Sequence, residues 1–361
     1  MDLKGLLQRV LYSKWVPQRD IADGYSIIIP IPEDMPFLAL LAMEGLRSIN
    51  TEHCGQIIIV GDGHGTDNGK VLRETVSQFN DPRIELVLFS NLDRSVIRRM
   101  TSPHWLTIVY GTNQSRCSYA FLHDSDAFFL ENDCIERTYD YCKKNRLYTT
   151  GVNARWDNFF KTIGYQIPGT WQMMFSVPWL RGHKPWMVRG RRLATPHGVN
   201  EFDTLLYPQY LDYGSGKVGV MPNPPMYSHF NGTIVTYRAW RRVMEKPVVD
   251  ELFRLLLLSI LERVVPSTDS KRLLPDVDVL ARGLKGADCL IRYDTKNCVR
   301  NYREFRDQMS ELCRSPTFAG ERTAAINSML IPFDEHFAKI GLEIDDMQGE
   351  SKRKLRRNGL A

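Results

Sequence analysis

Short apolar runs alternate with stretches of helical period along the first third of the chain. Tyr25–Ile31 (YSIIIPI), Gln56–Val60 (QIIIV), Arg83–Phe89 (RIELVLF) and Ser118–Leu122 (SYAFL) read as strands covered on both faces, since their Ile, Val, Leu and Phe run on with little polar alternation. Between them Phe37–Ile49, Lys70–Phe79 and Arg94–Arg99 carry helical spacing. Strand and helix in turn predict a mainly parallel α/β sheet with right-handed crossovers. From about residue 145 to 240 the pattern changes to short strands, dense aromatics and loops of Gly, Pro and Arg. After Pro247 the chain reads as helical, most clearly over Val248–Val265. Residues 1–16 form an amphipathic pattern, with Leu3, Leu6, Leu7, Val10, Leu11 and Trp15 opposite Lys4, Gln8 and Arg9. The expected division is an N-terminal helix (1–19), an α/β domain (20–245), a helical appendage (246–345) and a basic, flexible tail (346–361).

Composition narrows the class. With 361 residues, 43% hydrophobic and 25% charged, the chain has ample material for a core and is not fibrous or disordered. The net charge of +5 resides in the tail. Setting aside Lys352, Arg353, Lys354, Arg356 and Arg357 leaves 42 charges of each sign, so the body has no basic excess for nucleic acid. Seven scattered cysteines without Cys-x-x-Cys spacing argue against a disulfide framework or a zinc site. The first residues lack a secretory apolar region, and the longest apolar runs, Met35–Met43 and Leu255–Leu261, fall well short of the ~20 residues a bilayer requires. The expectation is a soluble, cytoplasmic protein.

The strongest chemical signal is Phe121-Leu-His-Asp124-Ser-Asp126-Ala-Phe-Phe129. Two carboxylates at the end of an apolar strand can converge on one hard cation, Mg²⁺ or Mn²⁺, which in turn suits phosphate oxygens. The plainer alternative is a solvated loop. Asp62, in Gln56-Ile-Ile-Ile-Val-Gly-Asp62-Gly-His, also follows a strand. It either faces a nucleotide or bonds its own turn. The surrounding glycines match no phosphate loop. A Walker A pattern fails at His64 and Val71, and Gly-x-Gly-x-x-Gly fails at Thr66.

Together, Ser26-Ile-Ile-Ile-Pro30, Ile57-Ile-Ile-Val-Gly-Asp-Gly63 and Tyr119-Ala-Phe-Leu-His-Asp-Ser-Asp-Ala127 resemble the GT-A glycosyltransferases, in particular the family-2-like group, over about residues 20–240. The resemblance implies a Rossmann-like, mainly parallel sheet with helices on both faces. It implies a nucleotide-diphosphate-sugar donor and a Mn²⁺ or Mg²⁺ cofactor. Asp62 would hold the nucleobase, Asp124 would lie near the ribose or a metal-bound water, and Asp126 would bind the metal. Pro30 and Ser125 fall in the same segments and belong with the donor site. His197-Gly-Val-Asn-Glu201-Phe-Asp203-Thr204 resembles the acidic segment near the acceptor, making Asp203, or else Glu201, the candidate base. Tyr227-Ser-His229-Phe-Asn-Gly232 resembles the late segment that completes the metal site through its His. Asp203 read alone is equally a helix-terminal acid, and His229 a core histidine.

The chain departs from the family. Ile31-Pro-Glu-Asp34 replaces the usual Tyr-Asn, a single Asp62 replaces a doubled Asp, and the Gln-x-x-Arg-Trp of processive members is missing. That points to a non-processive enzyme. Trp171, Trp179 and Trp186 offer faces for an acceptor sugar or fill the core. Arg189 and Arg191 could grip a pyrophosphate or an anionic acceptor. The amphipathic N-terminus, the Leu252–Leu261 segment and the basic tail would together suit reversible contact with an anionic membrane, as a lipid-linked acceptor would need. Two rival readings are a haloacid-dehalogenase-like phosphatase, whose Asp-x-Asp follows the first strand rather than the fourth, and an inactive sugar-nucleotide-binding or scaffold protein.

Overall fold

A computed structural model describes residues 9–17, 21–65, 67, 69–97, 104–154, 157–230, 232–243, 249–265, 274–283 and 295–357. The chain forms two compact units, Met1–His229 and Phe230–Ala361.

The first unit contains β1 (Ala22–Ile31), α1 (Phe37–Arg47), β2 (Cys54–Gly61), α2 (Lys70–Val76), β3 (Ile84–Val87), α3 (Asn91–Ile97), α4 (His104–Gln114), β4 (Cys117–His123), β5 (Ala127–Phe129), α5 (Cys134–Lys144), β6 (Thr149–Asn153), α6 (Asn158–Ile163), β7 (Pro168–Ser176), α7 (Val177–Gly182), β8 (Arg191–Thr195), β9 (Gly198–Phe202), α8 (Leu206–Asp212) and β10 (Tyr227–His229). Six strands form one sheet in the order β3-β2-β1-β4-β7-β6. The pairs β3–β2, β2–β1 and β1–β4 are parallel, and only β7 runs against its neighbours. This is the mainly parallel α/β sheet that the alternating strand and helix pattern implies.

Both faces are covered, which is why the strands read as unbroken apolar runs. Ile28 is registered with Ile58 and Leu122, and Leu122 with Met173. These side chains share one core with Trp105, Leu106, Ile108 and Val109 of α4 and Leu180 of α7. The intervening Tyr25, Ile27, Ile29 and Phe121 are fully buried on the opposite face. There Tyr25 packs on Tyr139 of α5, with ring centroids 5.1 Å apart, and donates its hydroxyl to Glu136 at 2.7 Å.

The helix α4 was not legible in the sequence. Its His-Trp-Leu-Thr-Ile-Val-Tyr-Gly-Thr-Asn-Gln is rich in residues of weak helix propensity. Burial of seven of its 11 residues against the sheet overrides that preference. The strand expectations hold to within a few residues, but the aromatic segment supplies two further strands, β6 and β7, to the main sheet. Of the N-terminal pattern, Leu3, Leu6 and Leu7 lie outside the described residues. Tyr12 joins the sheet core, and Trp15 donates Nε1–H to the His183 carbonyl at 2.6 Å.

The second unit is helical: α9 (Thr233–Val243), α10 (Val249–Val264), α11 (Val277–Gly283), α12 (Thr295–Leu312) and α13 (Glu321–Arg357). Leu252, Leu255–Leu258, Ile260 and Leu261 are fully buried within it. A helix apolar all round must be enclosed. Here Phe253 of that helix stacks on Phe305 at 5.4 Å and also meets Tyr302 and Phe337, which stack on each other at 4.4 Å. That burial accounts for the segment without any lipid. Among the described residues, no helix is long and apolar enough to cross a membrane.

Candidate metal and nucleotide site

The sheet order reverses direction at β1, whose neighbours are β2 on one side and β4 on the other. Ligands of such sheets bind at the carboxyl ends of the strands beside that reversal. Asp62 follows β2 and Asp124 follows β4, so the register sets both acids on either side of the end of β1. Pro30 lies two residues beyond the last β1–β4 pair, Ile28–Leu122, where a missing N–H costs no bond to β4.

His229 reaches the site through a short ladder. After Asp124-Ser125-Asp126 the chain enters β5, which pairs with β10 so that Ala127 faces His229 and Phe129 faces Tyr227. Ligand atoms of Asp124, Asp126 and His229 consequently lie within 4.8 Å of one another. His229 Nε2 is 3.7 Å from Asp124 Oδ2 and 3.5 Å from Asp126 Oδ1. Asp124 Oδ1 is buried and, among the described residues, has no hydrogen-bond partner. Two hard carboxylates and one imidazole, with an oxygen left unbonded, fit a divalent cation. Burial raises the Asp124 pKa, and the charges of Asp126 and Asp203 add to that, against His104 and His229. Burial works against a charged His229, but its hydrogen bond to Asp126 and the charges of Asp126 and Asp124 prevail and raise its pKa. A bound cation would take the place of that proton.

Neighbouring side chains hold the set. Trp171 is stacked on His229 at 4.7 Å. His123, pushed down to about 3 by burial, is a neutral imidazole whose Nδ1 shares a hydrogen bond with the Tyr227 hydroxyl and whose ring stacks on Phe129. His104, the first residue of α4, places Nε2 3.9 Å from Asp124 Oδ1. Nothing in the sequence pattern marked His104, because the helix that delivers it was itself hidden. Ser125 is buried.

Asp62 is 6% exposed, and its Oδ1 accepts from the backbone N–H of Glu33 at 3.2 Å and of His64 at 3.1 Å. It ties the end of β1 to the loop after β2. Beneath that loop the Glu33 carboxylate takes two bonds from Arg94, at 2.6 and 2.7 Å, and both residues are buried. A Cβ on Gly61 would come within 2.6 Å of Glu33 Oε1, and one on Gly65 within 2.8 Å of Oε2. These glycines therefore make room for an ion pair, a role unlike that of a phosphate loop.

Asp203 lies in the turn between β9 and α8, where the Thr204 N–H donates to its Oδ1 at 2.7 Å. Leu205, fully buried, holds a φ of 62° and donates its N–H to the Val188 carbonyl at 2.9 Å. A left-handed leucine costs roughly 1–3 kcal/mol and persists only where its surroundings enforce it. Glu201 is exposed on β9, opposite Arg192.

The tryptophans separate. Trp179 is a core residue, 8% exposed, stacked on Tyr148 and donating Nε1–H to Asp212 at 2.6 Å, and so is not open to an acceptor. Trp171 supports His229. Trp186 lies beneath the guanidinium of Arg191 at 4.4 Å, and Arg189 is half-buried nearby in sequence.

No known sequence family matches the chain, and no curated protein does. Among solved structures it is similar to a mannosyltransferase from Pyrobaculum calidifontis in complex with GDP-Man and Mn²⁺, at 12% identity, over 94% of each chain, with a TM-score of 0.39. It is also similar to residues 1–349 of S. aureus TarS in complex with UDP-GlcNAc, at 12% identity over 90% of this chain and 92% of that one, TM-score 0.38. A third likeness is to glucosyl-3-phosphoglycerate synthase from Mycobacterium tuberculosis in complex with Mn²⁺, UDP and glucosyl-3-phosphoglycerate, at 10% identity over 68% and 82%, TM-score 0.36. At this level of likeness no residue role transfers to the present chain.

Proposed function

We propose that this chain is a metal-dependent, non-processive glycosyltransferase. Its donor is a nucleotide-diphosphate sugar, foremost a UDP-sugar, and its acceptor a hydroxyl of a glycan or lipid-linked substrate. The convergence of Asp124, Asp126 and His229 beside the end of β1 carries the reading. Those three side chains would hold Mn²⁺ or Mg²⁺. A cation held by them would offset the negative charge that a departing diphosphate gathers. Without it, the two carboxylates repel the same group.

Asp62 serves the nucleobase end, and Pro30 and Ser125 belong to the segments of the same donor site. Asp203 takes the acceptor proton if the reaction inverts configuration, with Glu201 as the substitute. Little covalent chemistry falls to the side chains, so positioning and charge supply most of the rate. Calorimetry with UDP tests this reading. Binding should be much tighter in Mn²⁺ than in EDTA, and Asp126→Asn should abolish the difference. Equal affinity with and without metal in the unaltered protein would remove the metal from the mechanism.

A further inference from the structure

Arg191 and Asn200 share one face of the β8–β9 hairpin. Arg191 is registered with Phe202 and Leu193 with Asn200, so these four side chains point the same way, while Arg192 and Glu201 point the other. The Arg191 guanidinium lies over two rings, Trp186 and Tyr207, each at 4.4 Å. One donor of the guanidinium is engaged by the Tyr207 hydroxyl, while contact with the ring faces leaves the edge at Nε unused. Arg191 Nε is buried with no hydrogen-bond partner among the described residues, and so is Asn200 Nδ2. Two buried donors on one face, both lacking an acceptor, leave a debt of desolvation that an oxyanion would settle.

The charge distribution agrees. Arg9 lies over the same Trp186 ring at 4.7 Å. Burial lowers the Arg191 pKa and the positive charges of Arg9 and Arg189 add to that, against the Tyr207 hydroxyl, and no carboxylate pairs with Arg191 among the described residues. A cluster of positive charge around buried, unpartnered donors suits an anion.

The position says which substrate carries it. Gly190 lies against the backbone of Asp203 and Thr204, where a Cβ would come within 3.2 Å of both the Asp203 carbonyl carbon and the Thr204 nitrogen. The backbone of Arg191, the next residue, therefore lies beside the chain segment that carries Asp203, the candidate acceptor base. We propose that this face of the hairpin binds an oxyanion, a phosphate or carboxylate group, borne by the acceptor. The assignment to the acceptor rests on the glycosyltransferase reading, whereas the anion site itself does not.

Calorimetry on the full chain in EDTA tests it, with inorganic phosphate and glucuronate as the two probes. At least one should bind saturably, and the tighter one identifies a phosphorylated or a uronic-acid acceptor. Arg191→Gln should weaken it roughly tenfold or more, as loss of a charged hydrogen-bond partner does. Asn200→Ala, which leaves every charge in place, should weaken it by a smaller factor and serves as the reading should Arg191→Gln fail to fold. Asp126→Asn should leave anion binding intact, even if it abolishes metal-dependent UDP binding, so the two readings fail separately. Absence of binding by both probes, or affinity unchanged in both hairpin variants, overturns the site. Competition between the anion and UDP–Mn²⁺ would assign these groups to the donor diphosphate and overturn the acceptor.

Discussion

Trp171 lies flat against His229, with ring centroids 4.7 Å apart and planes within 8° of parallel. The stack fixes the imidazole plane and so aims Nε2 between Asp124 and Asp126. A side chain that orients a ligand governs metal affinity without touching the ion. Trp171→Ala should weaken Mn²⁺ binding by about 10- to 100-fold, and Trp171→Phe, which keeps a ring face, by much less. Titration followed by electron paramagnetic resonance measures both. Equal affinity in Trp171→Ala and the parent would reduce the stack to packing.

Asp203 should affect turnover and not the donor. Asp203→Asn is expected to lower turnover by roughly 10²–10⁴-fold while UDP affinity in Mn²⁺ is nearly unchanged. Near-normal turnover would move attention to Glu201 or to a retaining reaction.

The Glu33–Arg94 pair makes a stability prediction. Arg94→Leu leaves a buried carboxylate unpaired and should cost about 3–5 kcal/mol in urea unfolding. Adding Glu33→Gln removes that charge, and the double variant should recover much of the loss. A double variant as unstable as Arg94→Leu would contradict this account.

The His53–Glu136 contact makes stability depend on pH. His53 Nδ1 lies 2.8 Å from Glu136 Oε2, and that hydrogen bond raises the His53 pKa above 6.5. A raised folded pKa means that the contribution is complete below about 6.5 and is lost as pH climbs through the higher folded value. Melting temperatures from pH 6 to 9 should therefore fall more in the parent than in His53→Asn. Parallel curves would show that the contact is indifferent to protonation.

Membrane association is expected to depend on the tail, because the Leu252–Leu261 segment is buried. Five basic residues supply a few kcal/mol on an anionic surface, at about 1 kcal/mol each, and salt screens them. In flotation with anionic vesicles at low salt, the full chain should float and a chain lacking residues 351–361 should float less. Retention in the soluble fraction at every salt and lipid composition would favour a soluble acceptor.

The parallel half of the sheet was legible in the sequence because strands covered on both faces need continuous apolar side chains, and Ile27–Ile29 and Ile57–Val60 are such runs. Asp62 and Asp124 were legible for the same reason, as the first acids after buried strands. Other features depended on partners distant in sequence. The β5–β10 ladder sets His229 opposite Ala127, and burial against the sheet makes a helix of His104–Gln114 despite its composition. Trp171 and Trp179 look alike in sequence, yet one stacks on His229 and the other fills the core. The loop glycines matched no phosphate loop in sequence, and only the structure shows that they enclose Glu33, whose partner Arg94 comes from α3. Local pattern records which faces a segment must bury. Which side chain meets which is decided only when the sheet order is set, since that order brings residues 100 positions apart within the few ångströms over which hydrogen bonds and charges act.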